Sequence, residues 1–306
     1  MTTRAAARPV REALVAGALV ALAWLLAAAA AAGGQEVPEM QEHVPPTVPD
    51  SLAEEPWVAE APFGPGEHLV YHVKVGIFGV GDGHMSVHPV DTVRGNPTYR
   101  AVMGIEGSLM GLRVDDQYTT WFDLYTLQSW RYIRNVHQVN YKSFRHFEFY
   151  PDRGTWERED NDEFGPLASR IPLDDIAFIY YIRTLPLEVG ETYTLDRYFK
   201  DEGNPVVIKV IRKDRRETEA GTFNTIVVKP IIKTDGLFGE GGDAELHFTD
   251  DDRRILVYLK SNIPKFPGSL TLHLRSIQDG VPLHPDSRAR VMEARAADTT
   301  SRRVSR

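Results

Sequence analysis

No cysteine occurs in the 306 residues of this chain. That absence excludes thiol catalysis, disulfides, thiolate zinc sites and lipid modification of a cysteine of its own. Positive charge is also in short supply: 35 Lys and Arg stand against 43 Asp and Glu, a net charge of −8. Nucleic-acid binding needs a basic face, and this balance argues against one. There is no Gly-x-Ser-x-Gly elbow and no phosphate loop. The glycine-rich run Gly79-Val80-Gly81-Asp82-Gly83 leads from one strand pattern into another, so no helix N-terminus follows it to hold a phosphate. Beyond residue 32 no uncharged run reaches the length of a membrane span. The chain does have an apolar share of 42%, which at this length suffices to bury a real core.

Both ends read as separate from the fold. Arg4, Arg8 and Arg11 precede an uncharged run from Ala13 to Ala32 that closes on small residues. A basic start, an apolar middle and a small-residue exit form an export signal, with an uncleaved membrane anchor as the alternative. Residues 33–61 hold seven acidic residues, five prolines and no Lys or Arg. Such a segment cannot bury enough apolar surface to offset its ordering entropy and reads as an extended acidic linker. Residues 279–306 read as a frayed Arg-rich tail.

The middle, 62–278, reads as one β domain. Leu69, Tyr71, Val73 and Val75 alternate with His68, His72 and Lys74, the period of a strand with one wet face. Similar stretches recur at 85–90, 99–105, 114–122, 127–139, 141–150, 193–199, 206–212, 223–234, 243–248, 254–261 and 269–277. Without helical crossovers between most of them, the sheet must be largely antiparallel. One segment differs. Asp174-Asp175 can cap a helix, Ile176 to Ile182 follows without a polar residue other than tyrosine, and Pro186 stops it. A helix apolar on every side must be covered on every side. The predicted fold is therefore mainly β: a curved antiparallel sheet or half-open β-barrel with one short apolar helix on its concave face. Two packed β-sandwiches splitting near Arg170–Asp174 are the alternative. Gly66-Glu67 and Gly190-Glu191 open two sets of strands, and Asp123 and Asp250 end comparable strands, a hint of internal repetition.

Several motifs, in order, resemble the bacterial domain-of-unknown-function 3108 family over about residues 62–278. They are Pro62-Phe63, Gly66-Glu67, Leu69, Tyr71, Val73 and Gly76; Arg183-Thr184-Leu185-Pro186-Leu187, Gly190 and Tyr193; Lys209-Val210, Arg212, Gly221-Thr222-Phe223-Asn224, Val228 and Pro230; and Thr249-Asp250-Asp251, Arg254, Val257, Lys260-Ser261 and Gly268. The resemblance implies an exported, envelope-associated protein and no particular reaction. The arrangement also looks like the half-open barrels of periplasmic lipoprotein carriers, though without cysteine this chain is not itself a lipoprotein.

Polar constellations give no catalytic residue, metal site or cofactor. Asp243, Glu245 and His247 share a strand face and could hold a divalent metal, but alternation with Ala244, Leu246 and Phe248 reads as a solvent-facing surface. His247→Ala is accordingly predicted to leave folding nearly untouched. Thr249-Asp250-Asp251-Asp252-Arg253-Arg254 reads as a structural turn with Arg254 pinning the return strand. Aromatics are the stronger signal: Trp121, Trp130, Tyr132, Tyr141, Phe144, Phe147, Phe149 and Trp156 crowd into one stretch. Rings usually form core, but in a curved sheet they can line a cavity for an apolar ligand. The candidate ligand-binding residues are Tyr71, Trp121, Trp130, Phe147, Phe149, Ile179 and Tyr180. The functional expectation is a non-enzymatic envelope protein that binds or carries an apolar small molecule or lipid. The alternative is an assembly factor binding another envelope protein through a sheet edge, and a hydrolase with an unrecognised site stands last.

Overall fold

The computed structural model describes residues 61–109, 112–138, 141–232, 244–262 and 269–284. The leader, nearly all of the linker, the tail beyond 284, and Asp243 and Gly268 lie outside the described residues. Fourteen strands form one sheet: β1 (His68–Val75), β2 (Phe78–Val93), β3 (Asn96–Leu109), β4 (Leu112–Asp123), β5 (Ser129–Gln138), β6 (Tyr141–Tyr150), β7 (Thr155–Arg158), β8 (Phe164–Pro166), β9 (Thr192–Leu195), β10 (Val206–Thr218), β11 (Gly221–Ile231), β12 (Glu245–Thr249), β13 (Leu256–Asn262) and β14 (Ser269–Gln278). The helix α1 (Asp175–Ile182) lies between β8 and β9 in the chain. The spatial order is β8-β7-β6-β5-β4-β3-β2-β1-β14-β13-β12-β11-β10-β9, every neighbouring pair antiparallel. Pairing of β1 with β14, from His68↔Gln278 to Val75↔Leu270, fuses the two halves and overturns the two-sandwich alternative.

The sheet curls but does not close. Its end strands β8 and β9 do not pair. Phe199, beside the β9 end, nevertheless lies 5.5 Å from Phe147 and 5.2 Å from Phe149 on β6, close to the other end. Backbone bonds stitch the seam: Ala168 N donates to Phe199 O at 3.1 Å, and Leu173 N to Arg197 O at 2.6 Å.

The hinted repetition is present in backbone geometry. Gly66 and Gly190 both have positive φ, 93° and 98°. Gly66 N donates to Val87 O and Val87 N to Glu67 O; Gly190 N donates to Val210 O and Val210 N to Glu191 O. Each Gly-Glu pair thus clamps the second strand of its own half of the sheet. Leu127 and Arg254, also at positive φ, begin the equivalent return strands. Positive φ is uncommon for such residues, and finding it at matching points of both halves marks one turn used twice.

The helix forms for the reasons legible in the chain. Asp174 Oδ1 accepts the N–H groups of Ile176 and Ala177, at 2.9 and 3.0 Å, and satisfies the orphan donors of the first turn. All eight helical residues are buried. Tyr180 meets Phe63 at 4.8 Å and Phe122 at 5.4 Å, so the concave face of the sheet and the leading segment cover it together. The glycines at 79–83 carry a register shift in the β1–β2 pairing, where Val73 opposes Gly81 and Lys74 opposes Gly79. They run inside the long β2, where Gly81 opposes Gly107 so closely that a side chain on either would strike backbone.

Candidate functional site

The seven residues expected to line a ligand site are not brought together. Tyr71, Ile179 and Tyr180 are core around α1, and the Tyr71 hydroxyl donates to Leu256 O at 2.9 Å. Phe147 and Phe149 belong to a second ring cluster with Tyr132, Trp156 and Phe199. Trp121 and Trp130 occupy the opposite, convex face in a small separate cluster with Val93. There Trp121 donates to Asp91 at 2.9 Å, and Arg131 and Arg94 stack over the two indoles. Beside them buried Glu148 takes Arg94, Arg131 and His146.

Two polar constellations stand out instead. The first joins motif residues from three distant segments. Glu67, at the entry to β1, receives both Nη atoms of Arg183, just after α1, at 2.6 and 2.7 Å, and both side chains are buried. Arg183 also donates to Arg253 O at 3.1 Å, tying in the turn at 249–254. That turn is structural, as read: Thr249 Oγ1 donates to Asp251 at 2.5 Å, and Arg254 reaches Thr249 O and Asp250. An open cleft of about 520 Å³ lies against this junction, lined by Pro62, Arg183, Thr184, Asp252, Arg254 and His284 among others. None of the seven expected residues lines it.

The second lies on the concave face of β4, β5 and β6, next to the N-terminus of α1. Register places Tyr118 opposite Arg134, and Arg134 opposite Arg145. Tyr132 and Phe147, one step along the same face, are core. Asp175 accepts from the hydroxyls of Tyr132 and Tyr198, each at 3.3 Å, and faces Arg134. Deeper on this face Asp116 takes Gln138 Nε2 at 2.5 Å and His137 N at 3.1 Å; burial pushes its carboxyl pKa up to about 6. Arg134 Nε and Gln138 Oε1 are buried with no hydrogen-bond partner among the described residues. Towards the open seam Arg158 lies over the Phe147 ring and Lys200 over Trp156. Burial lowers the pKa of both Arg145 and Lys200; Arg134 and Arg158 lower that of Arg145 further, whereas Glu163 and Glu202 oppose the shift at Lys200.

A family model for proteins of unknown function, DUF3108, matches residues 70–275, more than half of the chain. The chain belongs to the DUF3108 family. No curated protein matches it. Among solved structures, a candidate lipoprotein of Parabacteroides distasonis matches with 11% identity over 72% of this chain and 99% of its own, TM-score 0.32. A candidate exported protein with a YmcC-like fold from Bacteroides fragilis matches with 10% identity over 72% and 99%, TM-score 0.28. A DUF1089 family protein of Pseudomonas aeruginosa matches with 11% identity over 60% and 90%, TM-score 0.30. Likenesses this weak carry no argument about function.

In this DUF3108 chain His247 corrects the sequence reading. The strand faces are as assigned, with Leu246 and Phe248 in the core, yet His247 is itself fully buried. Arg216 reaches its ring nitrogens at 3.2 and 3.3 Å, and Tyr258 packs edge-on at 5.0 Å. Long side chains roof a nominally wet face. Glu245 is bound to Arg212. His247→Ala should therefore destabilise. Burial, then Arg216, lowers the His247 pKa to about 4. The unfolded chain binds a proton near pH 6.5 that the folded chain refuses until about pH 4, so stability is full above this window and falls as pH drops through it. In His247→Gln that loss is absent, and urea melts at pH 7 and pH 4.5 should show it losing roughly 2–3 kcal/mol less than the parent. Equal losses in the two proteins would refute the assignment.

Proposed function

We propose that the chain is an exported, non-catalytic protein of the cell envelope that binds an amphiphilic molecule at the open seam of its sheet. Export is supported by the arginines, uncharged run and small-residue exit of residues 1–32. The observation that carries the binding reading is the seam itself. There the aromatic wall of Phe147, Trp156 and Phe199 is roofed by Lys200 and by Arg158, which Asp160 and Glu163 hold over the rings. Moving these two side chains aside breaks the Arg158 ion pairs but no strand pair, and uncovers apolar surface. A ligand with an apolar part and a polar end suits this wall better than the purely apolar one the sequence suggested. The edge-docking alternative draws support from Phe164, 65% exposed on the end strand β8. However, that edge is three residues long and ends in Pro166, the blunted form that resists strand addition.

Native mass spectrometry of the protein recovered from its own periplasm, followed by lipid extraction, tests both parts of the proposal. The expected spectrum has a mature chain starting near Gly33 and carrying an extractable amphiphile. Ligand-free protein, or a full-length chain in the inner membrane, contradicts one part or the other.

A further inference from the structure

We propose that the end of the sheet that carries the β1–β2 turn docks on an anionic phospholipid surface, with Ile77 and Phe78 entering the headgroup layer. The β1–β2 turn lies in the middle of the strand order and the seam at its two extremes, so this surface is separate from the ligand reading above and does not depend on it.

The turn is the first observation. Gly76 and Ile77 alone join β1 to β2, with Val75 opposite Phe78. Gly76 takes a positive φ of 59°, and its N–H donates to Ser269 O at 2.9 Å, so β14 holds the turn in place. Tips this tight usually carry Asn, Asp, Ser or a second Gly. Here Ile77 is 89% exposed and its neighbour Phe78 is 40% exposed. Ile77 is the most exposed large apolar side chain among the described residues.

Charge is the second observation. Strand alternation brings the β3–β4, β5–β6 and β13–β14 connections out at the same end as this turn. Within three residues of that end, the neighbouring strands β6-β5-β4-β3-β2-β1-β14-β13 hold Lys74, Arg113, Lys142 and Lys260 and no acidic residue. Within three residues of their other end, the same strands hold Asp91, Asp123 and Glu148 against Arg131 alone. Lys142 is exposed, and so is Arg113, which reaches Asp115. The connections at 110–111, 139–140 and 263–268 also contain no acidic residue. They lie outside the described residues, and the proposed surface does not include them. A chain of net charge −8 thus sets a basic, apolar-tipped end against an acidic one.

Together the two observations select the partner. Apolar side chains that enter the headgroup layer beside cations that meet anionic headgroups make an interfacial anchor. A protein partner needs a continuous face of about 800 Å². Two side chains on a turn present an isolated point, which a fluid lipid layer accommodates.

The absence of cysteine makes single-site labelling direct. Protein recovered from the periplasm is used throughout. Ile77→Cys and Asp152→Cys, the second on the turn after β6 at the opposite end, each receive an environment-sensitive fluorophore. With mixed phosphatidylglycerol–phosphatidylcholine vesicles the label at 77 should brighten and shift to the blue, and the label at 152 should not. In flotation with unlabelled protein, the combined change Ile77→Ser with Phe78→Ser should weaken binding roughly tenfold. Lys74→Gln with Lys142→Gln should weaken it roughly threefold and flatten its salt dependence. Ile77→Ser alone changes a side chain already in solvent, so it should keep the parent's melting temperature and still weaken binding. Pure phosphatidylcholine vesicles should bind the parent poorly. Equal responses at 77 and 152, or none at either, would overturn the docking end. Equal binding to both vesicle types, indifferent to the lysine changes, would overturn the anionic surface. No vesicle binding, with a cross-linked envelope protein lost in Ile77→Ser, would replace the membrane by a protein partner. An amphiphile at the seam leaves each of these outcomes unchanged.

Discussion

Ile179→Asp should unfold the domain. Ile179 is fully buried in a helix whose eight residues are all covered, so a carboxylate there has no solvent to turn toward. Losing the aliphatic contacts alone costs about 2–5 kcal/mol, and an unpaired buried charge adds several more. Domains of ordinary stability have about 5–15 kcal/mol in total. Circular-dichroism melts should find Ile179→Asp unfolded or melting far below the parent. A folded Ile179→Asp protein that had lost only ligand binding would mean that α1 borders an open cavity.

Glu67→Ala should be nearly as damaging, by about 3–5 kcal/mol, the usual penalty for stranding one member of a buried ion pair. The stranded group is the Arg183 guanidinium, 1% exposed and set over the rings of Phe63 and Tyr180 at 5.1 and 5.6 Å. Arg253 O would still accept one of its N–H groups. The combined change Glu67→Leu with Arg183→Met removes both charges and should recover most of the loss, because buried pairs are costly to break and cheap to replace whole. Urea denaturation of the two single variants and the double measures the coupling. A double variant no better than the sum of its parts would show that the pair is not the unit described.

The fold was legible because its signals are local. Alternation from Leu69 to Val75 sets a strand, and Asp174 with Pro186 brackets the helix. Both Gly-Glu openings are plain in the amino-acid sequence, and both clamp a strand in the same way. The site was not legible, because it depends on register. The rings crowded between Trp121 and Trp156 suggested one cavity, yet period two sends Trp121 to the convex face while its neighbour Phe122 points into the core. In the β4–β5 pairing Trp121 opposes Arg131 and Phe122 opposes Ser129, so Trp130 is the extra residue of a bulge and shares the convex face with Trp121. Arg134 and Arg145 are well separated along the chain and mean little until the β5–β6 register sets them opposite each other. His247 was placed on the right face and given the wrong environment, since alternation reports direction and says nothing of an Arg216 folding over the top. Nor does sequence spacing reveal that Glu67 and Arg183, 116 positions apart, form one buried pair.

The claim that the ligand occupies the concave seam is tested most directly by quenching with a brominated fatty acid. Trp156 lies on the concave wall, whereas Trp121 and Trp130 lie on the convex face. The account predicts that the parent protein's tryptophan emission is quenched on binding and that Trp156→Phe loses most of that quenching. Quenching undiminished in Trp156→Phe would place the ligand elsewhere and contradict it.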